Sequence, residues 1–116
     1  LNAYGYSLAL HKLHLDKSEK LIRKALDIRP GEAAILDSLA WILYLKGSYK
    51  EAVKYSSLAY SKDQDPEIIE HHYLILLKNG NSNEAKSILD QSIKNNPNSE
   101  KLLKLLDSSE NAAIKL

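Results

Sequence analysis

The stretch Ile35-Leu36-Asp37-Ser38-Leu39-Ala40-Trp41-Ile42-Leu43-Tyr44, followed by Leu45-Lys46-Gly47-Ser48, decides the fold. Its apolar residues Ile35, Leu36, Leu39, Ile42 and Leu43 recur at three- and four-residue steps, the spacing of one helix face. Gly47 is where such a helix stops, because glycine takes the left-handed C′ conformation without a Cβ penalty. Ser48 and Glu51 then read as a capping box that opens another helix. The same punctuation returns 33 residues later: Gly80 matches Gly47, Ala85 matches Ala52 and Ser92 matches Ala59. Upstream, Ser18, Ala25 and Pro30 precede Ala52, Ala59 and Gln64 by 34 residues. Small residues recurring at a period of this length mean stacked helix pairs that bury their apolar faces on one another.

Working outward, the rest of the chain is also helical in pattern, with Gly and Pro near element boundaries. Residues 1 to 14 read as a first helix with Tyr4, Leu8 and the Leu10/Leu13 pair on one side. Asp16-Lys17-Ser18-Glu19 reads as a capping box for a second helix, ended by Arg29-Pro30-Gly31. Asp65-Pro66 places an N-cap before Pro at the first helical position. Asn81 and Glu84 form a third capping box, and Ser99 opens a seventh helix to about residue 108. Short links make consecutive helices antiparallel neighbours. The expectation is three hairpins over residues 1–30, 31–64 and 65–97, a capping helix over 98–108, and a frayed tail over 109–116.

The pattern resembles the tetratricopeptide repeat family. Residues Leu36, Leu39-Ala40, Leu43, Gly47, Ala52 and Ala59 fit its repeat, as do Ile69, Leu76, Gly80, Ala85, Leu89, Ser92 and Pro97, and Tyr4-Gly5, Leu8, Ser18, Ile22, Ala25 and Pro30. Three departures stand out: Tyr73 where the family prefers Gly, Ser56 in place of a large core residue, and Gln64 in place of Pro. The resemblance implies an all-α, right-handed helical-hairpin solenoid of about three units with a C-terminal capping helix. The segment around Trp41 is similar to C-terminal repeats of bacterial members, some of them outer-membrane lipoproteins. That leaves cytoplasm and periplasm both open and allows an origin in a larger lipoprotein. The chain begins with Leu1, inside a repeat, and reads as a fragment.

Bulk composition narrows the function classes. Of the 116 residues, 44% are hydrophobic and 27% charged, ordinary values for a globular chain. A formal net charge of +1 gives no global field toward nucleic acid or an anionic membrane surface. No apolar run approaches the roughly 18 residues of a membrane span. Lys17, Lys20 and Lys24, like Lys46, Lys50 and Lys54, are interleaved with Glu19 or Glu51 and read as solvated faces. The absence of cysteine removes thiol catalysis, thiolate metal sites and disulfides together.

The family resemblance puts the first helix of each hairpin on a concave face. Projected onto this chain, the groove candidates are Asn2 and Tyr6, then Asp37, Trp41 and Tyr44, then Glu70, Leu74 and Lys78. Trp and Tyr are residue types that anchor protein interfaces; the competing reading packs Trp41 as core. Asp37 and Glu70 stand where relatives that grip a C-terminal carboxylate use Lys and Asn, so an apolar or basic segment is expected instead. His11 and His14 share a face but lack a third ligand. His71 and His72 point apart on their helix, and His72 falls on a core position. Asp63 and Asp65 lie in a turn, where Asp serves capping. No catalytic residue, cofactor site or metal site emerges, and the chain reads as no enzyme. The expected function is a non-catalytic scaffold or adaptor binding a polypeptide in its groove. The alternative is a terminal or self-associating element of a longer solenoid, with the apolar C-terminal helix as one route to self-association.

Overall fold

A computed structural model describes the backbone of residues 3–115 and the side chains of residues 10–110. Six helices follow one another: α1 (Ala3–Ile28), α2 (Ala33–Leu45), α3 (Tyr49–Lys62), α4 (Pro66–Lys78), α5 (Ser82–Asn95) and α6 (Glu100–Lys115). No strand occurs among the described residues. The fold is an all-α solenoid of helical hairpins, with α2–α3 and α4–α5 as complete hairpins. The first helices α2, α4 and α6 lie side by side, and each second helix packs behind its own first helix.

Both hairpins turn by the same mechanism. Gly47 and Gly80 have φ of 85° and 89°, in the left-handed region. The Ser48 amide donates to the Leu43 carbonyl (2.9 Å) and the Gly47 amide to that of Tyr44 (3.0 Å). Asn81 and Gly80 repeat these bonds to Leu76 (2.8 Å) and Leu77 (3.1 Å). These are the paired bonds of a Schellman motif, which satisfies the last carbonyls of the first helix. They also explain why the two expected capping boxes are not made. A capping-box Glu accepts from the N-cap amide, but the amides of Ser48 and Asn81 are already taken by the preceding helix. Neither N-cap side chain bonds its helix. Glu51 instead accepts from Arg23 at 2.8 Å.

The first expected hairpin is not formed. Residues 3 to 28 make one continuous helix, and the expected turn at Asp16–Ser18 lies in its interior. Nothing between His11 and Ser18 opposes helix: there is no Gly, no Pro and no β-branched residue. The two acidic residues of the expected cap serve elsewhere. Lys46, at the end of α2, lies 2.6 Å from Asp16 and 2.8 Å from Glu19, and Glu19 also accepts from Arg23 at 2.8 Å. The hydrogen bond from Lys46 holds both carboxyls below their ordinary range, with Arg23 adding to the effect at Glu19. At the other end, α6 continues to Lys115 through the expected tail. Residues 109–115 contain helix-favouring Ala112 and Ala113 and no breaker.

Small residues set the packing. Ala52 and Ala59 are fully buried beneath α2, clustered with Leu39, Ala40 and Leu43 and with Leu36. In the next hairpin Ile69, Tyr73 and Leu76 pack with Ala85 and Leu89, and Leu102 of α6 closes that cluster. The links between hairpins differ in length. Residues 29–32 and 96–99 connect α1 to α2 and α5 to α6, whereas only residues 63–65 connect α3 to α4. In this shorter link Asp63 accepts from the Asp65 amide and Asp65 from that of Glu67, both at 3.1 Å. That is the capping role expected of these two carboxylates.

Candidate binding groove

The adjacent faces of α2 and α4 carry a column of rings. Trp41 stacks on Tyr44 with centroids 4.7 Å apart and on His71 of α4 at 4.2 Å, the ring planes within 18° and 22° of parallel. Tyr44 tilts against Tyr49, at the start of α3, at 5.9 Å. Lys78 lies 5.9 Å from the centre of the Tyr49 ring. Trp41 and Tyr44 are both partly buried against the core cluster of Leu39, Ala40 and Leu43. Trp41 therefore contributes to packing while keeping an accessible part, so core and surface readings each hold for a portion of the ring.

Asp37 fixes the α4 end of the column. His71 Nδ1 lies 2.9 and 3.1 Å from the two carboxylate oxygens. A carboxylate only accepts, so Nδ1 of the ring is the donor in this bond. Both side chains are largely shielded from solvent. This bond orients His71 for stacking on Trp41, and it means that Asp37 is a partnered acid and not a free one. Glu70 is also partnered, by Lys101 of α6 at 3.4 Å. Leu74 lines a cleft of about 270 Å³ between α4 and α6 with Tyr73, Leu77, Leu105, Ser108 and Ser109.

The sequence candidates thus fall into two connected groups. Asp37, Trp41, Tyr44 and Lys78 share the aromatic column. Glu70 and Leu74 belong to the α4–α6 side. Asn2 and Tyr6 lie outside the residues whose side chains are described. His71 was not among the groove candidates, yet it joins Asp37 to Trp41. The period came close without naming it: His71 stands 34 residues after Asp37, one beyond the 33-residue step from Gly47 to Gly80, which leads to Glu70.

His72, next in sequence, faces the opposite way. It is buried between α3 and α4, with Nδ1 2.7 Å from Ser56 Oγ and its ring stacked on Tyr60 at 5.2 Å. Burial without a charged partner lowers its pKa to about 4. The serine and the histidine are fully enclosed, so no substrate reaches them. Among the described residues no three His, Asp or Glu side chains converge as a metal site would require. No described helix is long and apolar enough to cross a membrane.

Comparison with known proteins agrees with this architecture. Residues 74–99, from the middle of α4 past α5, match the tetratricopeptide repeat family. The chain is similar to a TPR repeat-containing protein of Pseudomonas aeruginosa, 38% identical over 71 residues. That alignment covers 61% of this chain and 12% of the relative, so the chain spans a small part of that protein's length. With the two hairpins and their glycine turns, these matches make the chain similar to tetratricopeptide repeat proteins. The relative suggests a bacterial origin. Repeats of this family generally mediate protein–protein interaction.

Proposed function

We propose that the chain is a non-catalytic scaffold that holds a polypeptide segment against the faces of α2, α4 and α6. The observation that supports this best is the column His71–Trp41–Tyr44. It places a tryptophan that is only partly buried on the surface shared by two neighbouring first helices. Tyr and Trp offer large contact area at low conformational cost, which is why they anchor interfaces. The apolar cleft at Leu74 and Leu77 extends that surface toward α6. An apolar or basic segment suits it better than a C-terminal carboxylate. The carboxylates of Asp37 and Glu70, bonded to His71 and Lys101, border this surface and would disfavour a further carboxylate beside them.

Trp41 is the sole tryptophan, so its fluorescence reports the groove directly. Titration with a peptide set of graded charge is expected to shift Trp41 emission with apolar and basic peptides and to leave it unmoved with acidic C-terminal ones. Trp41→Ala should weaken capture of the same peptides by about 2 kcal/mol or more, the scale of an interface hot spot. Emission that no peptide perturbs, together with unchanged capture by Trp41→Ala, would remove the groove from consideration.

A further inference from the structure

In the α2–α3 hairpin, Ala52, Tyr55 and Ala59 of α3 receive α2: Leu36 is clustered with Ala59, and Ala40 and Leu43 with Ala52 and Tyr55. One period earlier, α1 carries the same seat as Ser18, Leu21 and Ala25, with Ile28 a turn further on. Here no helix lies on it among the described residues. Leu21 is 67% and Ile28 79% exposed, the highest values among the described large apolar side chains. A cleft of about 310 Å³ lined by Ala25, Ile28, Arg29 and Ile35 runs beside them, between α1 and α2.

The chain also contains a helix with the pattern that fits. Tyr4-Gly5 and Leu8 stand where α2 has Leu39-Ala40 and Leu43. Those residues cannot reach their own seat, because α1 runs straight through Asp16–Ser18 and carries them away from residues 18–28. Lys46 fastens the helix on either side of that point, through Asp16 and Glu19.

We propose that α1 pairs antiparallel with α1 of a second copy, each copy lending residues 3–14 to the seat on residues 18–28 of the other. The pairing is isologous, as a two-fold dimer requires, and is a domain swap of the first hairpin. Transferring the α2–α3 register sets Leu8 opposite Ser18 and Gly5 opposite Leu21. Both pairs are symmetric about Leu13, which is 50% exposed. The proposal concerns α1 alone and does not depend on the groove.

Sedimentation equilibrium of the full chain, from micromolar to millimolar concentration, is expected to reach twice the 13.0 kDa chain mass. Leu21→Asp combined with Ile28→Asp should return the single-chain mass, while Leu58→Asp on the exposed side of α3 should not. The chain has no cysteine, so Leu13→Cys should give a disulfide-linked dimer on mild oxidation where Leu58→Cys does not. Inserting Gly-Asn-Gly between Asp16 and Lys17 should let residues 1–16 fold back and convert the dimer to a monomer of undiminished helix content. If the doubly charged variant loses helix by circular dichroism, this insertion carries the test. A wild-type chain that stays at single mass throughout, or a dimer that survives the insertion, overturns the proposal.

Discussion

In the α2–α3 hairpin the crossing point is Ala40, fully buried, and the two helices close over it. In the α4–α5 hairpin the same position is Tyr73, and those helices lie less closely together. The helix lengths and turns of the two frames agree. Their first helices have 13 residues and their second helices 14, and both turn through a glycine with the same pair of bonds. The large ring is accommodated because it is buried beside α6, in one cluster with Leu102, against which Leu105 and Leu106 also pack. A residue that would wedge apart an internal hairpin thus becomes the floor on which the last helix docks.

Tyr73→Ala is expected to show the largest effect. Emptying that floor should cost about 3–5 kcal/mol in chemical denaturation, the range for deleting a large buried ring. A cost below about 1 kcal/mol would mean that α5 and α6 close over the gap, and that the wedge supports nothing. The next contrast is acid. His72 occupies in α4 the position of Leu39 in α2, and burial lowers its pKa to about 4 from the ordinary 6.5. Between these values the unfolded chain binds the proton more readily than the folded one. Stability is therefore intact above about pH 6.5 and falls as the pH drops toward 4, by at most about 3 kcal/mol. His72→Leu should flatten that slope in a pH series of unfolding curves, and loss of amide protection in wild type should centre on α3–α4 and spare α2.

Smaller effects sharpen the same comparison. Ser56→Ala deprives His72 of its hydrogen-bond partner and should cost about 1–3 kcal/mol. In the Ser56→Ala, His72→Leu double variant the cost should be clearly less than the sum of the singles. Strict additivity in this cycle would show that the pair is not coupled. Least of all, Gly47→Ala and Gly80→Ala should each cost about 1 kcal/mol, from the left-handed backbone alone. An added Cβ meets no atom within 4 Å at either site. Unequal losses would break the equivalence of the two turns.

Most of the architecture was legible because it rests on local chemistry. Apolar spacing marked the helices, and glycines marked the turns. The errors share one cause. A sequence shows which groups could bond but not which competitor reaches them first. Ser48 and Glu51 form a plausible capping box until the Leu43 carbonyl claims the Ser48 amide. Asp16 and Glu19 form another until Lys46, distant in sequence, claims both. Part of the aromatic column was legible as residue types at Asp37, Trp41 and Tyr44. His71 was missed because its role depends on which residue of the next repeat lies alongside. Ser56, a departure from the repeat pattern, and His72, on a core position, looked independent in sequence and prove to be partners in space.

The turn bonds have one more consequence. Because the amide that ends one helix belongs to the residue that begins the next, a hairpin has no slack at its bend and behaves as a rigid bracket. Freedom of assembly is confined to the spacers between brackets. The spacer at 63–65 is one residue shorter than its neighbours, and across this junction Asp37 meets His71, the residue after its own repeat counterpart Glu70. The spacers are thus the joints of the array, where the meeting of neighbouring side chains can change without disturbing any bracket.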